Sequence, residues 1–277
     1  MPRKLRNHRL STKKLSFFLK ESFFLCLIIY SKRLNNIHIM QFVDEGYIVD
    51  LRRYGESSVI VSVVSKNHGL LRGFVRGGLS KKNLGVYQLG NLINIDAYAR
   101  IEENMLSFKT ELLHPTAVKF MDDAAKLSAL SALCSLSVAC LPENENLERF
   151  YYYIESFFQL IDEKNWLTNY AFFEFYLLEY LGIGLDLNEC AATGTTENLE
   201  YVSPRSGKAV CAEAGEPYKE KLFCYPHFII DKNYTPQRYE LANLLKMTGF
   251  FLNKNFFQIH SLKFPLNRAS LLENLDL

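Results

Sequence analysis

No apolar run near the start of this sequence is long enough to cross a bilayer. The longest uninterrupted piece there is Phe23–Tyr30, well short of the ~20 residues a spanning helix needs. No small-residue cleavage site follows it, which argues against a secretory signal. Cysteine is scarce: six residues, at 26, 134, 140, 190, 211 and 224, none in a Cys-x2-Cys pair. That excludes a disulfide framework and fits a reducing, cytoplasmic setting. Also missing are a P-loop, a glycine-elbow serine, a His-x-Glu beside a cysteine pair and a carboxylate cluster at a strand end. Without them, phosphoryl transfer, acyl transfer and zinc-assisted deamination have no residues to run on. The expectation is a protein that is not an enzyme, with no catalytic residue and no cofactor. Repeats and low-complexity tracts are absent too, so a solenoid or fibrous architecture is excluded.

What is present is an ordinary globular composition, 48% hydrophobic and 22% charged, enough for a sizeable core. The net charge of +2 conceals a strong asymmetry. Residues 1–39 carry nine Lys/Arg against one acid, residues 40–114 nine against eight, and residues 115–277 fourteen against twenty-one. Within 52–82 there are seven basic residues and one acid, Glu56. Positive charge concentrated in this way is the footprint of a polyanion-binding patch.

The stretch Gly69–Lys82 is the centre of that patch. It begins as a strand and ends as a glycine-broken basic loop. Strand side chains alternate, so Leu71 and Val75 point one way while Arg72, Phe74 and Arg76 point the other. Two residues along a strand cover ~6.6 Å, close to the spacing of phosphates on an extended single strand. Cation, ring, cation on one face suits a surface that tracks a backbone and stacks bases. Gly77 and Gly78 let the chain leave sharply, and Lys81 and Lys82 extend the charge. The expected phosphate contacts are Arg52, Arg53, Arg72, Arg76, Lys81 and Lys82, with Phe74 as a stacking platform.

Around this stretch the sequence predicts five short strands at about 42–51, 57–64, 69–76, 88–98 and 104–112. Five antiparallel strands in so short a span suggest a small barrel, either an OB-fold or an SH3-like barrel. Pro115 marks a change of period from two to 3.6. Helices are expected at 116–140, 146–162 and 165–183, with Val118, Met121, Leu127, Leu130, Leu133 and Leu136 as a core stripe. The aromatic set from Phe150 to Tyr180 lies among acids and reads as packed core. Cys134 and Cys140 read as small core residues. Residues 184–230 break the pattern as an irregular insert, and Thr235-Pro236 resembles a helix start. A last short helix, 269–275, follows Phe264-Pro265-Leu266-Asn267-Arg268. The chain thus divides into a basic extension, 1–39, either disordered or preceding the true start at Met40; a barrel, 40–114; and a helical part, 115–277.

Structural zinc favours two close cysteine pairs. Here Cys190 is followed three residues later by Thr193, and Cys211 by Ala214. A set of Cys190, Cys211, Cys224 and His227 would have unusual spacing, so the expectation is no metal, in a degenerate zinc-finger-like insert.

With these pieces in order, residues 40–277 resemble the RecO family of bacterial recombination mediators. The resemblance rests on Gly46 with Asp50-Leu51 and Gly55 to Val61, and on His68-Gly69 with Gly73 to Gly78 and Ser80-Lys81-Lys82. It continues through Cys190 to Gly194, Tyr201 to Gly207 and Ala214-Gly215, then Thr248 to Leu252 and Pro265 to Arg268. It implies an α+β chain: an N-terminal five-stranded OB-fold followed by an all-α domain whose insert binds zinc in some members. It also implies binding of single- and double-stranded DNA and annealing of complementary strands. RecR and the single-strand-binding protein are the implied partners, RecA is loaded indirectly, and the setting is cytoplasmic and nucleoid-associated with no membrane. The competing readings are an RNA-binding OB module of translation, a metal-dependent nucleic-acid enzyme and, if residues 1–39 are expressed, a membrane-tethered protein.

Overall fold

A computed structural model describes residues 40–99, 105–231 and 233–275, apart from the side chains of Met40 and Asn274. The expected basic extension, residues 1–39, lies outside them. The described residues within Phe42–Ala97 and from Met105 onward form one compact unit.

Five strands make a closed barrel: β1 (Met40–Tyr54), β2 (Ser58–Ser65), β3 (Gly69–Val75), β4 (Leu92–Ala99) and β5 (Leu106–His114), in the order β1-β2-β3-β5-β4. β1–β2 and β2–β3 are antiparallel hairpins, whereas β3 pairs in parallel with β5. This Greek-key closure is the OB-fold. Ile48, Val61, Val63, Leu71, Ile93, Ile95 and Ala97 fill its interior. Gly73 is glycine because a Cβ there would meet the Phe108 ring at 2.4 Å.

Two strand ends differ from expectation. β1 runs past residue 51, because Arg52, Arg53 and Tyr54 find partners in Ile60, Val59 and Ser58, and the turn shrinks to residues 55–57. β4 begins at Leu92, because the chain before it is folded into turns. The buried Asn91 side chain donates to the Gly85 and Val86 carbonyls and accepts from the Ala117 N–H, all at 2.9–3.0 Å.

The helical part begins with a 3-10 turn, Thr116–Phe120, then α1 (Ala124–Cys140), α2 (Glu148–Gln159) and α3 (Trp166–Tyr180). Val118, Met121 and Leu127 are exposed, against expectation, while Leu130, Leu133 and Leu136 are buried. Leu127 lies in the first turn of α1 on its exposed side, whereas for Val118 and Met121 the cause is a break at Asp123. Its carboxylate accepts from the Ala125 and Lys126 N–H groups and starts a new helix, so residues before it do not share the face of α1. Tyr152 and Tyr180 are exposed, against expectation, but most of the aromatic set packs as core: Phe150, Tyr151, Phe157, Phe158, Tyr170 and Phe173 are buried. Cys134 and Cys140 are buried with them, and burial pushes the Cys140 thiol up to about 12.

The insert is more regular than its sequence suggests. It holds a three-stranded antiparallel sheet of β6 (Leu199–Val202), β7 (Ala209–Cys211) and β8 (Phe223–Cys224), with β6 central. Next comes α4 (Arg238–Leu252), which starts two residues beyond Pro236. There the Glu240 carboxylate accepts the Gln237 N–H at 2.7 Å, which satisfies an otherwise orphan donor. The expected last helix is two short ones, α5 (Leu266–Ala269) and α6 (Leu271–Asn274).

A buried ionic node ties α3, α4 and α5 together. Arg268 is 2% exposed and Glu174 0%. The Arg268 guanidinium donates through Nε to Glu174 Oε1, and through Nη2 to Glu174 Oε2 at 2.8 Å and to the Leu245 carbonyl at 2.6 Å. Tyr170 and Thr248 each donate to the same carboxylate at 2.5 Å. Glu174 thus has several donors, which is what a buried carboxylate requires. Among the described residues, no helix is long and apolar enough to cross a membrane.

Candidate nucleic-acid interface

The outer face of the β1-β2-β3 wall changes character row by row. The Tyr47–Val64–Leu70 row is buried in the core shared with the helices. A register shift between Ile48 and Asp50 then brings Asp50, Ser62 and Arg72 into line. Beyond them lie Arg52, Ile60 and Phe74, and last Tyr54 beside Ser58. One hairpin pair therefore packs at one end and faces solvent at the other.

Arg72 sits at the seam. Its Nη2 donates to Glu143 Oε1 at 2.8 Å, and the side chain is 32% exposed. Its Nε is buried and has no hydrogen-bond partner among the described residues. The chain carrying Glu143 lies against β3, where the Asn144 N–H donates to the Leu70 carbonyl. Arg72 therefore shares the outward face of Phe74 and Arg76 expected from alternation, while Leu71 and Val75 are buried. Its charge, however, is already engaged.

Arg52 lies one row further out. It donates from Nε to Asp50 at 2.9 Å in an exposed pair, a contact contributing at most ~1 kcal/mol that a phosphate can replace. Beside it the half-buried Phe74 meets the Tyr54 ring edge-on, centroids 5.6 Å apart and planes at 83°. Tyr54 is 58% exposed. Local sequence pattern gives this ring no role, because residue 54 reads as part of a turn. The pairing of Tyr54 with Ser58 puts it on the wall.

Arg53 points the other way. It pairs with Val59, which pairs with Val75, so it shares the face of the barrel lining and emerges exposed at the barrel rim. Arg76 follows β3, exposed, and the chain turns at Gly77 with φ +70°. The next segment is tied back to the β1–β2 turn: Leu79 N–H donates to the Ser57 carbonyl at 2.9 Å, and Asn83 Nδ2 to Gly77 at 3.1 Å. Exposed Lys81 and Lys82 lie on this tied loop. The structure thus brings Arg52, Arg53, Phe74, Arg76, Lys81 and Lys82 to one end of the barrel, with Tyr54 added. Arg72 is set back toward the helices.

In the insert, Cys190 and Cys211 are buried with their sulfurs 3.4 Å apart. Cys190 Sγ accepts the N–H groups of Ala192 at 3.4 Å and Cys211 at 3.2 Å. Burial raises its thiol, but hydrogen bonds from Thr193 and from the Cys211, Ala192 and Thr193 backbone outweigh that and hold it at about 6. Thr193 Oγ1 lies 3.6 Å from Cys211 Sγ, and Ala214 packs against the same cluster. Thr193 thus lies beside a sulfur and Ala214 against the cluster that holds both, and neither offers a thiolate. Cys224 is exposed and takes an Asn243 N–H, and His227 pairs with Glu200 at 3.6 Å. Among the described residues, no three His, Cys, Asp or Glu are grouped so as to hold a metal. Two thiols do not fit a tetrahedral zinc.

The family model described as Recombination protein O N terminal matches residues 40–116, and that described as Recombination protein O C terminal matches residues 121–260. The chain is 37% identical over 238 residues to the DNA repair protein RecO of Bartonella quintana (strain Toulouse), covering 84% of this chain and 97% of that protein. It is 35% identical over 242 residues to that of Wolbachia sp. subsp. Drosophila simulans (strain wRi), covering 84% and 99%. For Brucella abortus (strain 2308) the figures are 36% over 235 residues, 84% and 95%.

Proposed function

The chain belongs to the RecO family of DNA repair proteins, and from that premise we propose that it is a non-enzymatic recombination mediator. It binds single- and double-stranded DNA through the free end of its barrel, anneals complementary strands and, with RecR, helps load RecA on gaps coated by the single-strand-binding protein. One observation carries the reading: exposed cations meet an exposed ring and a half-buried one at the end of the barrel furthest from the helices. Arg52, Arg53, Arg76, Lys81 and Lys82 contact phosphates, while Phe74 and Tyr54 stack on bases. Phosphate contacts hold no sequence information, as suits a protein that acts wherever damage leaves a gap. Annealing needs the repulsion between two strands lowered, and a cationic surface does this without a catalytic group. We assign DNA handling to residues 40–114 and partner docking to the acidic remainder, in a cytoplasmic, nucleoid-associated protein.

An annealing assay with both strands precoated by single-strand-binding protein tests the proposal. Acceleration by this chain, lost when Arg52 and Arg76 are changed to Ala, supports it. No acceleration, or an equal rate from the double variant, overturns it. Competition between single-stranded DNA and RNA of equal length separates it from an RNA-binding module, which would show marked RNA preference.

A further inference from the structure

The metal-binding insert of a zinc protein keeps its loops together through the ion. Here Thr193 and Ala214 stand where a second thiolate of each pair would be, yet the loops remain closed around two cysteines. The turn after Cys190 is held by its own backbone, Gly194 N–H to the Cys190 carbonyl at 2.8 Å and Cys190 N–H to Thr195 at 2.7 Å. Leu199 of β6 pairs with Cys211 of β7, so both sulfurs sit on framework that holds position. They lie 3.4 Å apart, and a disulfide needs about 2.05 Å. The sulfurs must close by a little over 1 Å for the bond to form. Cys134 and Cys140 belong to a different core cluster and Cys224 is bonded elsewhere.

We propose that Cys190 and Cys211 form an oxidisable dithiol, a modification site at which a hydroperoxide converts the insert from packing-held to covalently closed. The Cys190 thiolate attacks one peroxide oxygen. An S–O bond forms, the O–O bond breaks, and the departing hydroxide takes a proton to become water (with hydrogen peroxide as oxidant). Cys211 sulfur then attacks Cys190 sulfur. The S–S bond forms as the S–O bond breaks, and the second hydroxide leaves as water with the Cys211 proton. Two thiols lose two electrons, and the peroxide is reduced to two waters. A small dithiol reductant reverses the step. The N–H groups of Ala192 and Cys211 aimed at Cys190 Sγ favour its thiolate and mark it as the attacking sulfur.

Arg205 and Lys208 are exposed and lie in the chain between the two cysteines, so trypsin provides the test. The full chain is treated with hydrogen peroxide, excess peroxide is removed, free thiols are blocked and the protein is nicked with trypsin. The expected result is a mass lowered by two hydrogens, with a Cys190–Cys211 peptide pair. Fragments cut at Arg205 or Lys208 stay joined on a denaturing gel and part on reduction. Cys190→Ser and Cys211→Ser each abolish the link. Fragments that part without reductant, a product that stops at sulfinic acid, or a link that survives in both variants overturns the proposal. Differential alkylation of the unsubstituted chain decides the same question without a variant, because the pair must lose reactivity together while Cys224 keeps its own. The result is independent of DNA binding, so it fails or stands apart from the function proposed above.

Discussion

Two arginines in this molecule show opposite uses of one side chain. Arg268, among the helices, is buried, and Glu174 and a carbonyl occupy its donors. Arg52, on the barrel, is largely exposed and gives one N–H to a half-buried aspartate. Both carry the same charge, so charge alone does not mark function. What separates them is whether the protein has already used the donors. Arg72 is intermediate, with one Nη engaged by Glu143 and an Nε buried without a partner among the described residues.

The largest expected effect tests the buried end of that comparison. Arg268→Met leaves the Glu174 carboxylate in the core without its countercharge, which costs about 3–5 kcal/mol. Arg268→Met with Glu174→Met removes both charges and is expected to recover part of that loss. Urea denaturation of the two variants reads the difference. If the single variant is as stable as the parent, the node is not the structural element that separates the two arginines.

The next effect is on binding. Removing an aromatic stacking platform costs ~1–3 kcal/mol per base, so Phe74→Ala or Tyr54→Ala should weaken single-strand affinity by a factor of five to a hundred or more. Stability should change little for the more exposed Tyr54. Equal affinity in both variants would move the strand off this wall.

A finer test grades the arginines against one another. The log–log dependence of affinity on salt has a slope of ~0.7 per phosphate neutralised on a single strand. Arg52→Ala and Arg76→Ala should each flatten it by about that amount. Arg72→Ala should flatten it less, because Glu143 already shares its charge, and Glu143→Gln should steepen it. Fluorescence anisotropy across a salt series measures all four. A larger change for Arg72 than for Arg76 reverses the ranking drawn from burial.

Much of this was legible in the sequence. Period-two alternation placed Leu71 and Val75 inside and Arg72, Phe74 and Arg76 outside, and β3 follows it. What escaped depended on partners distant in the chain. The partner of Tyr54 is on β2, and that of Arg72 is Glu143, beyond the end of the barrel. The opposed faces of Arg52 and Arg53 follow from adjacency, but the register shift that sets which one faces out is visible only in the pairing. Arg268 could be read as a cap or an ion pair. Its burial followed from Glu174, on a helix far earlier in the chain, which no local pattern announces.

The smallest effect asks whether pairing or location governs the comparison, and Asp44 supplies it. This aspartate is on the barrel, yet its side chain is fully buried. It accepts Asn67 N–H at 3.0 Å, Asn67 Nδ2 and Glu45 N–H at 2.9 Å, and lies 2.7 Å from His68 Nδ1, the ring of which stacks on Phe42. Burial alone would raise its carboxyl. The hydrogen bonds from His68, Asn67, Glu45 and Ser65 outweigh that and hold it below the ordinary 3.8. A carboxyl depressed on folding stabilises the protein above its unfolded value, and that contribution is lost as pH falls through the folded one. The stability gap between the parent and Asp44→Asn should therefore be constant from neutral pH down to ~5 and shrink below ~4, read from urea midpoints across that range. If it shrinks, a barrel charge behaves as Arg268 does once its hydrogen bonds are spent, and exposure of donors, rather than which part of the chain carries them, identifies the residues left for DNA. A gap that stays flat to about pH 3 would mean that the bonds around Asp44 do not favour its charge, and the distinction between engaged and available charges would fail on the barrel itself.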